Sequence, residues 1–294
     1  MATVSNLDQL FVQGAIEGFV DLVMPITSFS YAVDVNGASL NDAIRVPFVA
    51  NASGSSAFTY AAGYSGTSNG VTGKDILLSN LLYQPVSLTD ADFAKITPEV
   101  VTRLGKQAGA RLAADVISAS FASVVTAGNY PNSASYTSTA FTSSVALADL
   151  DNKANIYKWA DGERTLIAGT TLWNSLMNNS GVTQAYAFGG SEAIRNGTIP
   201  SVFGFKPYKT TVTLPNSDTG FACSTNALLF GMAYHQPKGE SNGIVNAIKA
   251  TDEKTGLVIG LRSFYDPYKA TTVKVIEALF GVAKGADNGL IHIK

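Results

Sequence analysis

The residues that could do chemistry are few. Gly239-Glu240-Ser241-Asn242-Gly243 carries the letters of a nucleophile elbow. An elbow is a strained strand-to-helix turn that exposes the serine Oγ, with a histidine and an acid downstream. Here Pro237 and Lys238 separate the pentapeptide from the apolar run before it, and the one downstream histidine is His292 near the end of the chain. In a chain with 27 glycines such a match arises from composition, so a serine hydrolase using Ser241 stands only as an alternative reading. Gly189-Gly190-Ser191 precedes Glu192-Ala193-Ile194 but lacks the Lys-Ser/Thr pair that a phosphate loop needs. Asp90 with Asp92, and Asp149 with Asp151, read as helix N-terminal caps rather than as acid–base couples or metal ligands. His235 reads as a structural side chain, Cys223 as a small buried hydrophobe, and Lys74 as a solvated charge. No catalytic, cofactor-binding or metal-ligating residue is assigned, and the chain is read as a non-enzyme with no cofactor.

Composition narrows the class further. The 294 residues are 46% hydrophobic but only 14% charged, against an ordinary value of about 25%. Ser, Thr, Ala, Gly and Asn fill places where charges usually keep a free monomer soluble. A chain built this way is expected to bury much of its outside against copies of itself. Net charge is −2 with no cluster of Lys or Arg, which excludes a strong nucleic-acid footprint. The single cysteine excludes an intramolecular disulfide. No run of 18 apolar residues exists, so no membrane span is expected. The apolar N-terminal stretch carries Asp8, Glu17 and Asp21, which does not read as a signal peptide, and the sequons at Asn51, Asn178 and Asn196 carry no meaning on that reading.

The elements that must organise such a chain centre on residues 97–128. Thr97 is placed to cap a helix, Pro98 suits its first position and Glu99 suits its dipole. Val101, Leu104, Ala108, Leu112, Val116 and Ala119 recur at helical spacing, and Gly128 with Asn129 is the expected end. This predicts a long strut. Residues 5–24 read as a second helix, stopped by Pro25, whose apolar face has no immediate partner and docks elsewhere. Residues 44–49 read as a strand that Pro47 confines to an edge or an isolated ribbon, with residues 76–82 and 86–88 returning. The Gly/Ser/Tyr-rich tip between them is too long for an ordinary connection of about 4–6 residues. It predicts a projecting hairpin whose Phe58, Tyr60 and Tyr64 find partners outside the domain. Lys74, at the root, joins them as a candidate inter-subunit contact. Asp90–Phe93 reads as a helical turn, 147–159 as a helix, 164–168 as a strand and 170–178 as a helix, an α/β subdomain. Strands are expected over 203–214, 226–235, 257–266, 271–280 and 290–293.

The order arm, long hairpin, spine helix, α/β subdomain and returning strands resembles the major capsid protein of tailed double-stranded DNA phages, whose fold encapsulin shells share. Asn196-Gly197-Thr198-Ile199-Pro200-Ser201-Val202-Phe203-Gly204-Phe205-Lys206-Pro207-Tyr208, followed by Leu214-Pro215, resembles the family's glycine, apolar pair and second glycine opening a strand. Arg262-Ser263-Phe264-Tyr265-Asp266, followed by residues 271–281, resembles its carboxy-terminal strand pair.

The resemblance implies an α+β phage major capsid fold. Residues 1–40 would form the N-terminal arm and 41–89 the extended hairpin loop. Residues 90–144 would form the spine helix and peripheral domain, 145–225 the axial domain, and 226–294 return strands completing both. It implies a subunit that self-assembles through pentamers and hexamers into an icosahedral shell around a phage genome. An encapsulin-like nanocompartment shell is the alternative. It further implies assembly in the host cytoplasm, residence in the virion, a separate scaffold protein or none, portal and decoration partners, and only non-specific contact with packaged DNA.

Overall fold

The computed structural model describes residues 4–33, 35, 37–49, 60, 71–93, 95–134, 136–183, 199, 201–236 and 244–294. Its axis is a helix pair. Helix α1 spans Val4–Thr27 and helix α3 spans Pro98–Val124. At 1.5 Å per residue the 27-residue α3 is about 40 Å long. Pro98 opens it, and Thr97 is extended but makes no side-chain cap bond. Its end falls at Val124, four residues before Gly128, because Asn129 donates its side-chain amide to the Val124 carbonyl at 3.0 Å. Pro25 lies inside α1, two residues before its end. A proline so near a helix terminus forfeits one backbone bond without breaking the helix.

The apolar face of α1 finds its partner within the chain. Phe11, Ala15 and Phe19 are buried in the same core as Val101, Ala108, Leu112 and Val116 of α3. Four glycines let the backbones touch. A Cβ at Gly14 or Gly18 would strike the carbonyl oxygen of Thr102 or Lys106. One at Gly105 or Gly109 would strike that of Phe11 or Ala15. Each pair is spaced i, i+4, which places both members on one helix face.

Beside this pair lies a six-stranded sheet. Its path runs β1 (Ser30–Ala32), β9 (Leu228–Ala233), β12 (Thr271–Lys284), β11 (Val258–Asp266) and β10 (Ile244–Thr251). Strand β4 (Asn80–Thr89) pairs with the other side of β12. Only the β1–β9 pairing in this sheet is parallel. β12 sends Ile276, Ala278 and Phe280 into the core shared with the helix pair. Lys274, on that same face, reaches Asp8 of α1 at 2.6 Å, and both side chains are buried. Asn246 of β10 donates to the second Asp8 oxygen, so the buried carboxylate has two partners.

A second sheet has the order β5 (Ser133–Ala134), β13 (Leu290–Ile293), β8 (Gly220–Cys223), β6 (Arg164–Ala168) and β7 (Phe205–Lys209). β6, β8 and β13 are buried along their whole length because both faces are covered. Ile167, Phe221, Cys223 and Leu290 face the main core. Leu166, Ala168, Ala222, Ile291 and Ile293 face a second core with α4 (Ser144–Ile156) and α5 (Thr170–Met177). Two-sided burial explains why these strands read as continuous apolar runs. Short α2 (Asp90–Phe93) and α6 (Ser180–Thr183) complete the helices among the described residues.

Candidate functional site

The hairpin is where the sequence concentrates aromatic groups in an uncharged segment, and the structure defines its base. Strands β2 (Ala43–Val49) and β3 (Val71–Leu77) form a two-stranded ribbon of their own. In the register Pro47 faces Gly73 and Val46 faces Lys74. The return strand divides at Leu78-Ser79, after which β4 leaves the ribbon for β12. Pro85 lies in β4, a strand that among the described residues pairs on one side only, as proline requires.

The ribbon's root is fixed to its own body. Val46 and Ile76 are buried against Leu229 of β9, with Ala283 and Ala286 beside them. Gly281 of β12 has no room for a Cβ because Ile76 and the Leu77 carbonyl lie directly on it. Lys74 is not the solvated charge that its place in the sequence predicts. Its ammonium donates to the Lys284 carbonyl at 3.3 Å and to the Gly285 carbonyl. Burial pulls its pKa below the ordinary lysine value. Of the three tip aromatics, Tyr60 is 97% exposed, and Phe58 and Tyr64 lie outside the described residues.

The candidates for catalysis do not assemble. Ser241 lies outside the described residues, but the element that follows it is strand β10, where an elbow requires a helix. His292 is buried in β13, with Nδ1 2.6 Å from the Asp218 carboxylate. Asp218 follows a 3-10 turn whose Asn216 donates to the Val125 carbonyl, so this pair ties the second sheet to the end of the spine. Cys223 is fully buried, and burial pushes its thiol pKa well up. His235 offers its backbone carbonyl to Arg262. Asp92 accepts from the Thr89 amide and hydroxyl and so does cap its turn. Asp151 does not cap a helix. It pairs with Arg164, a buried guanidinium that also binds Asp161, Asn155 and the Trp159 carbonyl. Among the described residues no group of His, Cys, Asp or Glu could hold a metal.

Three buried polar assemblies go unread in the sequence: Asp8–Lys274, Asp218–His292 and the Arg164 hub. The first two join residues 266 and 74 positions apart. Arg164 opens a strand whose other four residues are Thr165, Leu166, Ile167 and Ala168, and a charge heading a buried strand was the available signal.

No protein-family model and no curated protein match the sequence. Solved structures do match in fold. A structure from Mycobacterium phage Che8 aligns with a TM-score of 0.56 at 15% identity, covering 86% of this chain and 84% of that one. The capsid structure of cyanophage P-SCSP1u aligns at 0.56 and 14%, covering 91% and 86%. A virus-like particle from Pyrococcus furiosus aligns at 0.53 and 11%, covering 99% of this chain and 98% of its own. The chain therefore has the α+β fold of these phage-capsid and virus-like-particle subunits, over nearly its whole length.

Proposed function

We propose that the protein is a structural subunit that self-assembles into an icosahedral capsid shell enclosing a phage double-stranded DNA genome. The observation that carries this reading is the fold likeness to capsid subunits across nearly the whole chain. The anchored ribbon with an uncharged aromatic tip supports it, as does a surface poor in charge. On this reading the work is mechanical. The subunits form pentamers and hexamers, the segment 145–225 serves as the axial domain, and the hairpin 41–89 lies over a neighbour. Phe58, Tyr60 and Tyr64 are then buried between copies, each contributing roughly 1.5–3 kcal/mol before ordering costs. Lys74 acts at the root, holding the ribbon's angle from within its own chain. The segment 1–40 is more than an arm, since α1 is fixed to the spine. A separate scaffold protein, a portal and decoration proteins are the further partners. A near-neutral subunit suits a container that holds DNA without specific grip. Assembly takes place in the host cytoplasm, and the product is the virion.

Electron microscopy of the purified protein is expected to reveal closed icosahedral particles. A dispersed monomer under every assembly condition would sink the reading. The alternative reading is a protein nanocompartment shell, and the fold likeness to the Pyrococcus furiosus virus-like particle does not favour it over the capsid. Mass spectrometry of particle contents separates the two: a packaged genome supports the capsid, an enclosed enzyme the compartment.

A further inference from the structure

Three polar side chains from distant parts of the sequence meet between the helix pair and the six-stranded sheet. Asp8 comes from α1, Asn246 from β10 and Lys274 from β12. The register sets Asn246 opposite Ser263 of β11, and Ser263 opposite Lys274. Opposed residues share a face, so the asparagine and the lysine stand in one row with a single strand between them. Two strand spacings separate their backbones, about 10 Å, and the four-carbon stem of lysine covers most of that span. Ser263 between them is small and buried, so no bulky side chain blocks the crossing. Asp8 lies over the row from the helix side. One of its oxygens is 2.6 Å from Lys274 Nζ, and the other accepts from Asn246 Nδ2 at 3.2 Å. A single carboxylate therefore touches both an amine and a primary amide.

The surroundings are apolar. The Phe11 ring centre lies 5.3 Å from Nζ, and Leu261 and Ile276, the next row along the same face, are buried in the main core. Asp8 and Lys274 are buried with them, and Asn246 is half-buried. Loss of hydration penalises two ions and spares a neutral amine and a neutral carboxyl, so such a site eases the passage of a proton from one to the other. As a device for stability alone a buried ion pair is a poor choice, since apolar residues of the same size do as well or better. A nucleophilic amine, an acyl carbon and a proton carrier in hydrogen-bond contact are the parts of an amide-forming reaction.

We propose that Lys274 and Asn246 join covalently within one chain, through an isopeptide bond whose formation Asp8 catalyses. The Lys274 ammonium passes a proton to the Asp8 oxygen beside it. The lone pair so freed attacks Asn246 Cγ. Asp8 hands a proton to Nδ2 from its second oxygen and takes one from Nζ with the first. The Cγ–Nδ2 bond then breaks, its electron pair leaves with the nitrogen, and ammonia departs, taking up the proton that Asp8 holds. The net change converts a lysine ammonium and a primary amide into a secondary amide and an ammonium ion, with no oxidant or other reactant. The product ties β10, at the end of the sheet's path, to β12 across β11. It closes the chain between residues 246 and 274, which restricts the unfolded state while the fold already holds the two groups together. The inference goes beyond the shell reading and stands without it.

The test is the intact mass of the full-length chain after prolonged incubation at neutral pH. The wild type is expected about 17 Da below its sequence mass, the loss of one ammonia. Trypsin is then expected to release a branched peptide that joins residues 239–249 to residues 270–284, uncut after Lys274. Asn246→Ala removes the acyl carbon, keeps the ion pair and is expected at its full sequence mass. Asp8→Asn, with unchanged circular dichroism, is expected to slow the mass loss at least about a hundredfold. A wild type at its full sequence mass overturns the inference. So does the same loss in Asn246→Ala, or a loss that maps to a succinimide at an Asn-Gly step such as Asn288-Gly289. Should Asp8→Asn misfold, the wild-type mass and the peptide map decide alone.

Discussion

The two faces of β12 differ in how completely they are finished. Toward the helix pair, packing and charge are satisfied within one chain. Apolar residues meet α3, a buried ammonium meets a buried carboxylate, and glycines remove the side chains that would hold α1 away. On the opposite face the described residues cover only one half and leave valines, a phenylalanine and a tyrosine partly exposed among themselves. The contrast separates what folding within one chain completes from what it leaves open. Contacts that must form before any neighbour arrives are tight and charge-compensated.

The strongest way to break this contrast is to damage the finished face. Lys274→Met leaves Asp8 buried with Asn246 as its remaining partner. Breaking a buried pair from one side costs about 3–5 kcal/mol. The expected result is a large fall in the urea midpoint, with the pairing share of it recovered in Lys274→Met combined with Asp8→Leu. A double variant no better than the single one would show that the ammonium has a role beyond pairing. Next comes the seam. Gly109→Val forces a branched side chain against the Ala15 backbone and is expected to destabilise by about 3 kcal/mol. Differential scanning calorimetry measures the drop. No change of rotamer relieves the clash, because the new side chain meets main chain rather than a flexible side chain. By contrast Val275→Lys, on the opposite face, loses only a half-buried valine and sets a second cation opposite Arg262, and is expected to cost about 1–2 kcal/mol.

Much of this arrangement is legible in the residues. The three-and-four spacing from Val101 to Ala119 specifies the strut, and the boundaries of β6 and β13 fall at Arg164–Ala168 and Leu290–Ile293 as the apolar runs predict. The ribbon follows from Pro47 and the alternation around it. What stays hidden has physical causes. Hydrophobic periodicity marks α1 as amphipathic but not its partner, because the seam is made by glycines, which carry no hydrophobic signal. Strand β10 is an edge strand of Ile244-Val245-Asn246-Ala247-Ile248-Lys249-Ala250-Thr251, whose alternation is blurred by alanines and which follows the distracting pentapeptide at Gly239–Gly243. Lys274 reads as a solvent-facing member of an alternating strand. Its burial is decided by Asp8, at the other end of the chain, and no local pattern encodes that. The tip aromatics are visible in sequence, whereas the grouping of Tyr83, Phe264, Val273 and Val275 on one face exists only once β4, β11 and β12 are in register.

The smallest expected effect sharpens the border between the two halves. Glu277 is 6% exposed, and burial raises its pKa above the ordinary carboxylate value, opposed by the Arg262 hydrogen bond and charge. A carboxyl whose folded pKa is raised binds its proton more tightly in the folded state. Its stabilising contribution is therefore complete below the unfolded value and is lost as pH rises through the folded one. Glu277→Gln keeps an oxygen for the Arg262 donor and removes the titration. Urea midpoints taken from pH 4 upward should contain a component in wild type that declines with rising pH, and Glu277→Gln should lack it. An identical pH profile for the two proteins in unfolding would show that Glu277 does not carry this component.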